Sequence, residues 1–275
     1  MSSVLDRTLG ILELLSRHGE GLELASIADQ LNMPRSAAHR LLVDLVRTGY
    51  VRQPRELGSY MLTTKLVSLG LSFLSVSGIV DFSQPLLDRL AEISGELVRL
   101  GVVDGERLTW VARAQGARRG LRYDPDMGSD ARLSCSSSGL AWMASLSDEE
   151  ALALASRQGL GRPEDFGPNA PRTLQEMLAM VHAARERGYS VTVDTYSAGL
   201  SAMAAPVRLA GQPAIGVITI AGPTARFTES RMHALAPELL AIAEQMAAAS
   251  GTSPFFQRSS QARQAAPGRR PIYAE

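Results

Sequence analysis

The chain holds one cysteine, one lysine and four histidines in 275 residues, and each scarcity removes a class of explanation. A lone Cys135 cannot close an intramolecular disulfide, which fits a reducing cytoplasm. His18, His39, His182 and His233 are scattered with no close ligand pair, so neither a metal nor any other cofactor is expected. Net charge is absent too: 28 basic residues balance 28 acidic ones, so bulk charge gives no pointer to nucleic acid. Asp6 and Arg7 interrupt the N-terminal stretch, whose leucines have helical spacing rather than the pattern of a signal peptide. The uncharged run between Lys65 and Asp81 is rich in serine and glycine and shorter than the ~20 residues of a membrane span. No membrane partner is expected, and the location is read as cytoplasmic.

What remains is a chain with 45% apolar residues and room for two domains, at a prior of ~150 residues each. Leu5, Leu9, Leu12 and Leu15 mark a first amphipathic helix ending near Gly19. Leu24, Ile27, Ala28 and Leu31 mark a second, and Asn32-Met33-Pro34 a turn with Pro34 suited to the first helical position. A third helix turns Ala38, Leu41, Leu42, Leu45 and Val46 inward and ends at Gly49. Short strand-like runs at 50–52 and 59–62 flank the loop 54–58. Three helices and a hairpin in this order are the plan of a winged helix-turn-helix, here residues 1–63.

A linker helix is expected over 64–78, apolar on two sides and therefore buried on two, within one subunit or against a second. Residues 79–250 read as an α/β domain. Helices are expected at 79–94, 137–146, 148–157, 173–187 and 229–249, and strands at 96–103, 107–113, 189–194, 201–209 and 214–221. Turns at 103–106 and 210–213 suggest hairpins and a largely antiparallel sheet covered by helices, an α+β protein overall. The tail 251–275 is expected to be disordered, with Pro271-Ile272-Tyr273 its one docking hint.

The third helix has the chemistry of a DNA reader, because its outward face carries Arg35, Ser36, His39, Arg40 and Arg47. Ser36, His39 and Arg40 occupy the turns that touch bases, and Arg40 is the candidate for bidentate contact with guanine. Arg35 and Ser36 suit phosphate near the helix N-terminus. Arg52 and Arg55 suit a wing against a flanking groove or backbone. Between positions 34 and 56 five arginines face only Asp44 and Glu56, whereas residues 1–33 are net acidic. A solvated polar face, or a winged helix that binds protein in an adaptor, is the competing account of the same residues.

The run 3–9, the helix 24–31 and Pro34-Arg35-Ser36-Ala37-Ala38-His39-Arg40-Leu41-Leu42 resemble the opening of IclR-type transcriptional regulators. The resemblance continues through Gly49-Tyr50-Val51, Tyr60-Met61-Leu62-Thr63, Ser138-Gly139-Leu140-Ala141, Arg187-Gly188-Tyr189, Ala204-Ala205-Pro206-Val207 and Ile220-Ala221-Gly222-Pro223. It implies a GAF-like effector-binding domain, a homodimer or dimer of dimers, operator DNA as partner, and control of a catabolic operon, with repression favoured. It also implies a small organic acid as effector.

By the same resemblance, the loop Cys135, Ser136, Ser137, Ser138 and Gly139 lines the effector pocket. Thr192, Asp194, Ala202, Met203, Thr219 and Ala221 supply the other walls. Hydroxyls before a helix cap its N–H groups, and those N–H groups can hold a carboxylate. The chain departs from the commoner pattern at Leu140, often lysine, at Ala202 and Ala221, often cysteine and serine, and at Thr192, often acidic. A less polar and roomier pocket follows, suited to a larger or aromatic acid with one carboxylate. Arg99, Arg118, Arg119 and Arg122 are possible counter-charges or plain surface arginines. A serine hydrolase using Ser136–Ser138, His182 and Asp194 is the enzymatic alternative, but the nucleophile elbow Gly-x-Ser-x-Gly is missing. The chain is not expected to be an enzyme.

Overall fold

The computed structural model describes residues 3–54, 58–125, 128–254 and 256. They divide between two units, Met1–Val76 and Ser77–Glu275. In the first unit, α1 (Val4–Ser16) starts at a capping box: the Ser3 hydroxyl accepts from the Asp6 N–H, and the Asp6 carboxylate accepts from the Ser3 N–H. α2 (Leu24–Gln30) and α3 (Arg35–Arg47) follow, then an antiparallel pair of β1 (Val51–Arg52) and β2 (Met61–Leu62). Pro34 takes the N-cap position of α3, one residue earlier than expected. Ile11, Leu15, Ile27, Leu42, Leu45, Val51 and Tyr60 form the core, so all three helices and the hairpin share one apolar centre.

Three expectations change here. In α1 the buried residues are Ile11 and Leu15, while Leu5 and Leu9 of the expected stripe stay exposed. The helix has a second apolar face, which the leucine spacing alone conflated with the core face. Val46 of α3, expected inward, is likewise exposed. The linker helix α4 (Lys65–Ser77) is present, but Val67, Leu69, Leu71, Phe73 and Val76 are all exposed in the single chain.

The second unit opens with α5 (Ile79–Ser94) and the hairpin β3 (Leu97–Asp104) and β4 (Arg107–Gln115). Then come α6 (Ser137–Met143), α7 (Asp148–Gln158) and α8 (Leu174–Arg187). The strands β5 (Ser190–Val193), β6 (Leu200–Val207) and β7 (Gly216–Pro223) precede α9 (Glu229–Ala249). The five strands lie in the order β4-β3-β7-β6-β5, every neighbour antiparallel. Because side chains alternate across a strand, each strand feeds both sides of the sheet. Val98, Leu100, Met203, Ala205, Ile218 and Ile220 pack on one side with Leu87 and Leu90 of α5 and Leu239 and Ile242 of α9. Ala204 and Val217 join Trp142, Met143, Leu154, Met177 and Val181 of α6, α7 and α8 on the other.

β4 breaks the alternation. Leu100 pairs with Ala112 and Gly101 with Trp110, which leaves Val111 as a bulge. A bulge inserts one residue and turns the strand about its own axis. Ala112 and Ala114 therefore face α5 and α9, while Leu108 and Trp110, of the same parity, face the opposite side. Glu96, buried beside β3, binds Arg226 through two short contacts, 2.6 Å to Nε and 2.9 Å to Nη2.

The tail expected to be disordered from Gly251 is packed as far as Phe256. The Ser253 hydroxyl donates to the Ser77 carbonyl at 2.6 Å, and Phe256 is buried edge-on to Phe82 with ring centroids 6.0 Å apart. A single large apolar side chain anchors the segment, a signal too sparse to register as periodicity. Pro271-Ile272-Tyr273 lies outside the described residues.

Candidate functional site

Two sets of side chains carry the chemistry, one in each unit. On α3 the inward residues Ala38, Leu42 and Leu45 are buried, so the same helical repeat turns Arg35, Ser36, His39, Arg40 and Arg47 to solvent. Arg47 is partly engaged by Asp44 at 3.2 Å. Arg52 is exposed on β1, and the Gln53 amide donates to the Gly58 carbonyl at 2.9 Å across the hairpin loop. Arg55 lies outside the described residues. The C-terminal end of α3 is held by the only lysine: Lys65 Nζ donates to the Thr48 carbonyl at 2.6 Å and lies 4.5 Å from the Tyr50 ring centroid. A cation there satisfies a free carbonyl and opposes the negative end of the helix dipole.

In the second unit a cavity of about 330 Å³ opens on the side of the sheet that carries α6. That volume is at the lower end of small-molecule sites, roughly 300–1,000 Å³. Of the residues named from the sequence, Ser136, Ser137, Ser138, Thr192, Ala202, Thr219 and Ala221 line it. Gly139 allows α6 to begin so close to the preceding loop, because a Cβ there would run into the Leu133 backbone.

Four expected wall residues lie elsewhere. Cys135 is buried beside the cavity, and its carbonyl accepts from the Thr195 hydroxyl. Gly139 packs on the Leu133 backbone. The Asp194 carboxylate accepts from the Gly199 N–H at 2.7 Å and the Thr224 hydroxyl at 3.1 Å, a turn-forming role. Met203 is one residue from Ala202 and therefore on the opposite face of the sheet.

The serine loop is mostly engaged with the protein itself. Ser136 Oγ accepts from the Gly139 N–H and donates to the Arg132 carbonyl, Ser138 Oγ and Thr219 Oγ1 are 2.8 Å apart, and Ser190 donates to the Ser137 carbonyl. Residues that the sequence did not single out complete the wall: Trp110, Tyr123, Asp130, Arg132, Tyr196 and Leu200. Arg99, named beforehand only as a possible counter-charge, is the polar centre of the cavity. It is 8% exposed, its guanidinium carbon lies 3.8 Å from the Trp110 ring centroid, and its Nε has no hydrogen-bond partner. Burial pushes the Arg99 guanidinium below its ordinary range, with Tyr123 and Tyr196 only partly opposing that push. Arg118, Arg119 and Arg122 do not line the cavity.

The hydrolase arrangement does not assemble. His182 Nε2 sits 2.7 Å from Asp148 on the surface, Asp194 is occupied by its own turn, and neither lines the cavity with the serines. Among the described residues no cluster of three or more metal-type ligands occurs, and no single helix is long and apolar enough to cross a membrane.

An exposed arginine-bearing helix in a winged helix-turn-helix, with a ligand-sized cavity in a second α/β unit, defines a DNA-binding transcriptional regulator. The model of the IclR helix-turn-helix domain matches residues 4–55, and that of the bacterial transcriptional regulator IclR C-terminal region matches residues 71–248. The chain belongs to the IclR family. It is 30% identical over 243 residues to the HTH-type transcriptional regulator BhcR of Paracoccus denitrificans (strain Pd 1222), covering 88% of this chain and 85% of that one. It is 29% identical over 248 residues to the transcriptional repressor IclR of Escherichia coli (strain K12), covering 90% and 89%. An IclR homolog from Microbacterium hydrocarbonoxydans, solved in complex with 4-hydroxybenzoate, shares the fold at a TM-score of 0.71 and 20% identity, over 90% of this chain and all (100%) of that one. These relatives are regulators rather than enzymes.

Proposed function

We propose that the protein is a cytoplasmic repressor of a catabolic operon, bound to its operator as a homodimer or dimer of dimers and released by a small organic acid. Arg35, Ser36, His39, Arg40 and Arg47 of α3, with Arg52 and Arg55 of the wing, contact the operator. Arg40 reads a guanine edge, and Arg35 and Ser36 hold phosphate. The observation that carries this reading is the division of α3 into a buried Ala38-Leu42-Leu45 face and an exposed arginine and histidine face. The effector occupies the cavity lined by Ser136–Ser138, Thr192, Ala202, Thr219 and Ala221. Ala202, Ala221 and Leu200 make that cavity less polar than one built for a two- or three-carbon acid, which favours a larger or aromatic one. The structure solved with 4-hydroxybenzoate is an example of such a ligand in a protein of this fold.

Fluorescence anisotropy against the DNA upstream of the protein's own gene, with unrelated DNA as competitor at fixed salt, tests the reading. Saturable binding that survives competitor, and that weakens when an organic acid is added, is the expected result. Operator binding indifferent to every acid tried would remove the effector from the account. Binding no stronger than to unrelated DNA, there and in a genome-wide selection, would leave a protein-binding adaptor.

A further inference from the structure

Arg99 occupies a position in which an arginine is costly to keep. It is 8% exposed on β3, beside the central strand β7, and no aspartate or glutamate among the described residues pairs with it. The guanidinium remains charged in any protein environment. Its compensation comes from two aromatic neighbours: the π face of Trp110 at 3.8 Å, and Tyr123, whose centroid is 5.7 Å away and whose hydroxyl also interacts with the guanidinium. Among the described residues, the other charged side chains that line the cavity, Asp130 and Arg132, are engaged with the protein. Asp130 is held by Arg107 at 2.6 Å and by the Thr109 hydroxyl at 2.7 Å. Arg113 is held by Asp124 at 2.6 Å, and Arg132 stacks on Phe166 and reaches the Gln158 carbonyl. A buried cation whose Nε is unpaired, on the wall of a ligand-sized cavity, suits an anionic ligand.

The strand register places the rest of the anion site beside it. Thr219 of β7 is the cross-strand partner of Arg99, and its hydroxyl meets Ser138 Oγ at 2.8 Å. Within that pair one hydroxyl donates to the other, so one O–H remains to donate to a ligand. Two residues further along β7 the wall becomes apolar: Ala221, Ala202 opposite it, and Leu200, with Tyr123 packed against them. The Val111 bulge makes the arrangement possible, since it rotates Trp110 onto the face from which Arg99 projects. Gly101 opposite Trp110 carries no side chain, and a Cβ at that position would lie 3.5 Å from the Trp110 ring.

We propose that Arg99 is the anion anchor of this cavity: the ligand is a monocarboxylate with a flat apolar body, its carboxylate on the guanidinium edge of Arg99 beside the Thr219–Ser138 hydroxyls and its body over Leu200, Ala202 and Ala221. The inference rests on the effector reading above and names the group that recognises the effector's charge. It shifts that recognition from the N-terminus of α6 to the middle of the sheet. Trp110 covers one face of the guanidinium, so a carboxylate meets the edge, the geometry in which arginine donates two parallel hydrogen bonds.

Benzoate, with benzamide as its uncharged match, tests the anchor on the full-length protein by calorimetry and tryptophan fluorescence. Wild-type protein should bind benzoate saturably and benzamide far more weakly. Arg99→Met and Arg99→Gln should each weaken benzoate by about 10- to 100-fold, the range for losing a charge-assisted hydrogen bond. Ligand-free Arg99→Met should melt no lower than wild type, because a buried unpaired charge has been removed. If methionine is not tolerated, the glutamine variant decides alone. Undiminished benzoate binding in a folded neutral variant would overturn the proposal, as would benzamide binding as tightly as benzoate, or wild-type protein that binds no benzoate. Operator affinity measured on the same samples separates the two readings. An acid that shifts operator binding equally in wild type and Arg99→Met leaves the regulator standing and removes the anchor. Arg99-dependent benzoate binding without any effect on operator DNA keeps the anchor and removes benzoate as effector.

Discussion

Lys65 Nζ donates to the Thr48 carbonyl at 2.6 Å, so the first turn of α4 closes the C-terminal end of α3. Thr63 adds to the same junction, its hydroxyl donating to the Gly49 carbonyl at 2.6 Å. α3, the proposed DNA reader, and α4 are therefore joined by direct polar contacts. Lys65→Met keeps the stem against Tyr50 and removes the charge. It should lower the stability of this unit by about 0.3–1 kcal/mol, the usual value of a cation at a helix C-terminus. Hydrogen exchange at amides 45–49 should quicken, with the amides of α1 unchanged.

Arg40→Ala should weaken operator binding by about 1–3 kcal/mol and relax preference at one base position. Its exposure means the fold is untouched, so circular dichroism should not change. Arg52→Ala, a wing residue suited to phosphate, should instead weaken all sequences alike and reduce the salt slope by about one. Titrations of both variants against the operator and a shuffled duplex at several salt concentrations check the contrast.

Leu71 and Val67, one turn apart on the same face of α4, are 62% and 58% exposed. Contiguous apolar surface of this kind is normally covered in an assembly. Leu71→Arg should leave the single chain folded and shift the mass measured by light scattering toward the monomer. Operator affinity should fall with it, because two half-sites are then no longer read together. An unchanged mass would place the subunit contact elsewhere.

Burial pushes the Cys135 thiol up to about 11. The neutral thiol is thus favoured in the folded state, and its contribution is complete below the ordinary value of 9.0. That contribution is lost as pH rises from 9.0 to about 11, where an unfolded chain would release the proton and the folded one would not. Folded protein should resist iodoacetamide at pH 8 and react fully in urea. Cys135→Ser should remove the thiol's share of the stability loss seen between pH 9.0 and about 11.

The strands of the second unit were legible as short apolar runs between turn residues, and its helices by periodicity and plain stop signals, such as Gly95 after α5 or Gly188 after α8. The recognition face of α3 was legible for the same reason. The cavity was only half legible. Ser136, Thr219 and Ala221 could be placed by resemblance, but runs of neighbouring residues were assigned together, and Met203 fell on the wrong face by strand alternation. Trp110 over Arg99 could not be read at all. It depends on the bulge at Val111, which no turn residue or change of hydropathy announces. The exposure of Leu5 and Leu9 is a different kind of miss, since an apolar stripe fixes that a face will be covered without saying by what.

The Ser253 hydroxyl bound to the Ser77 carbonyl brings the start of the second unit and the segment that follows α9 within one hydrogen bond of each other. Such a unit is topologically a ring with a single cut. A short bridge between residues 77 and 256 would close it, and new ends could be opened at an exposed hairpin such as Gly105 or Gly211. The second unit could then be carried as an insert in an unrelated host protein, with its cavity close to the two junctions.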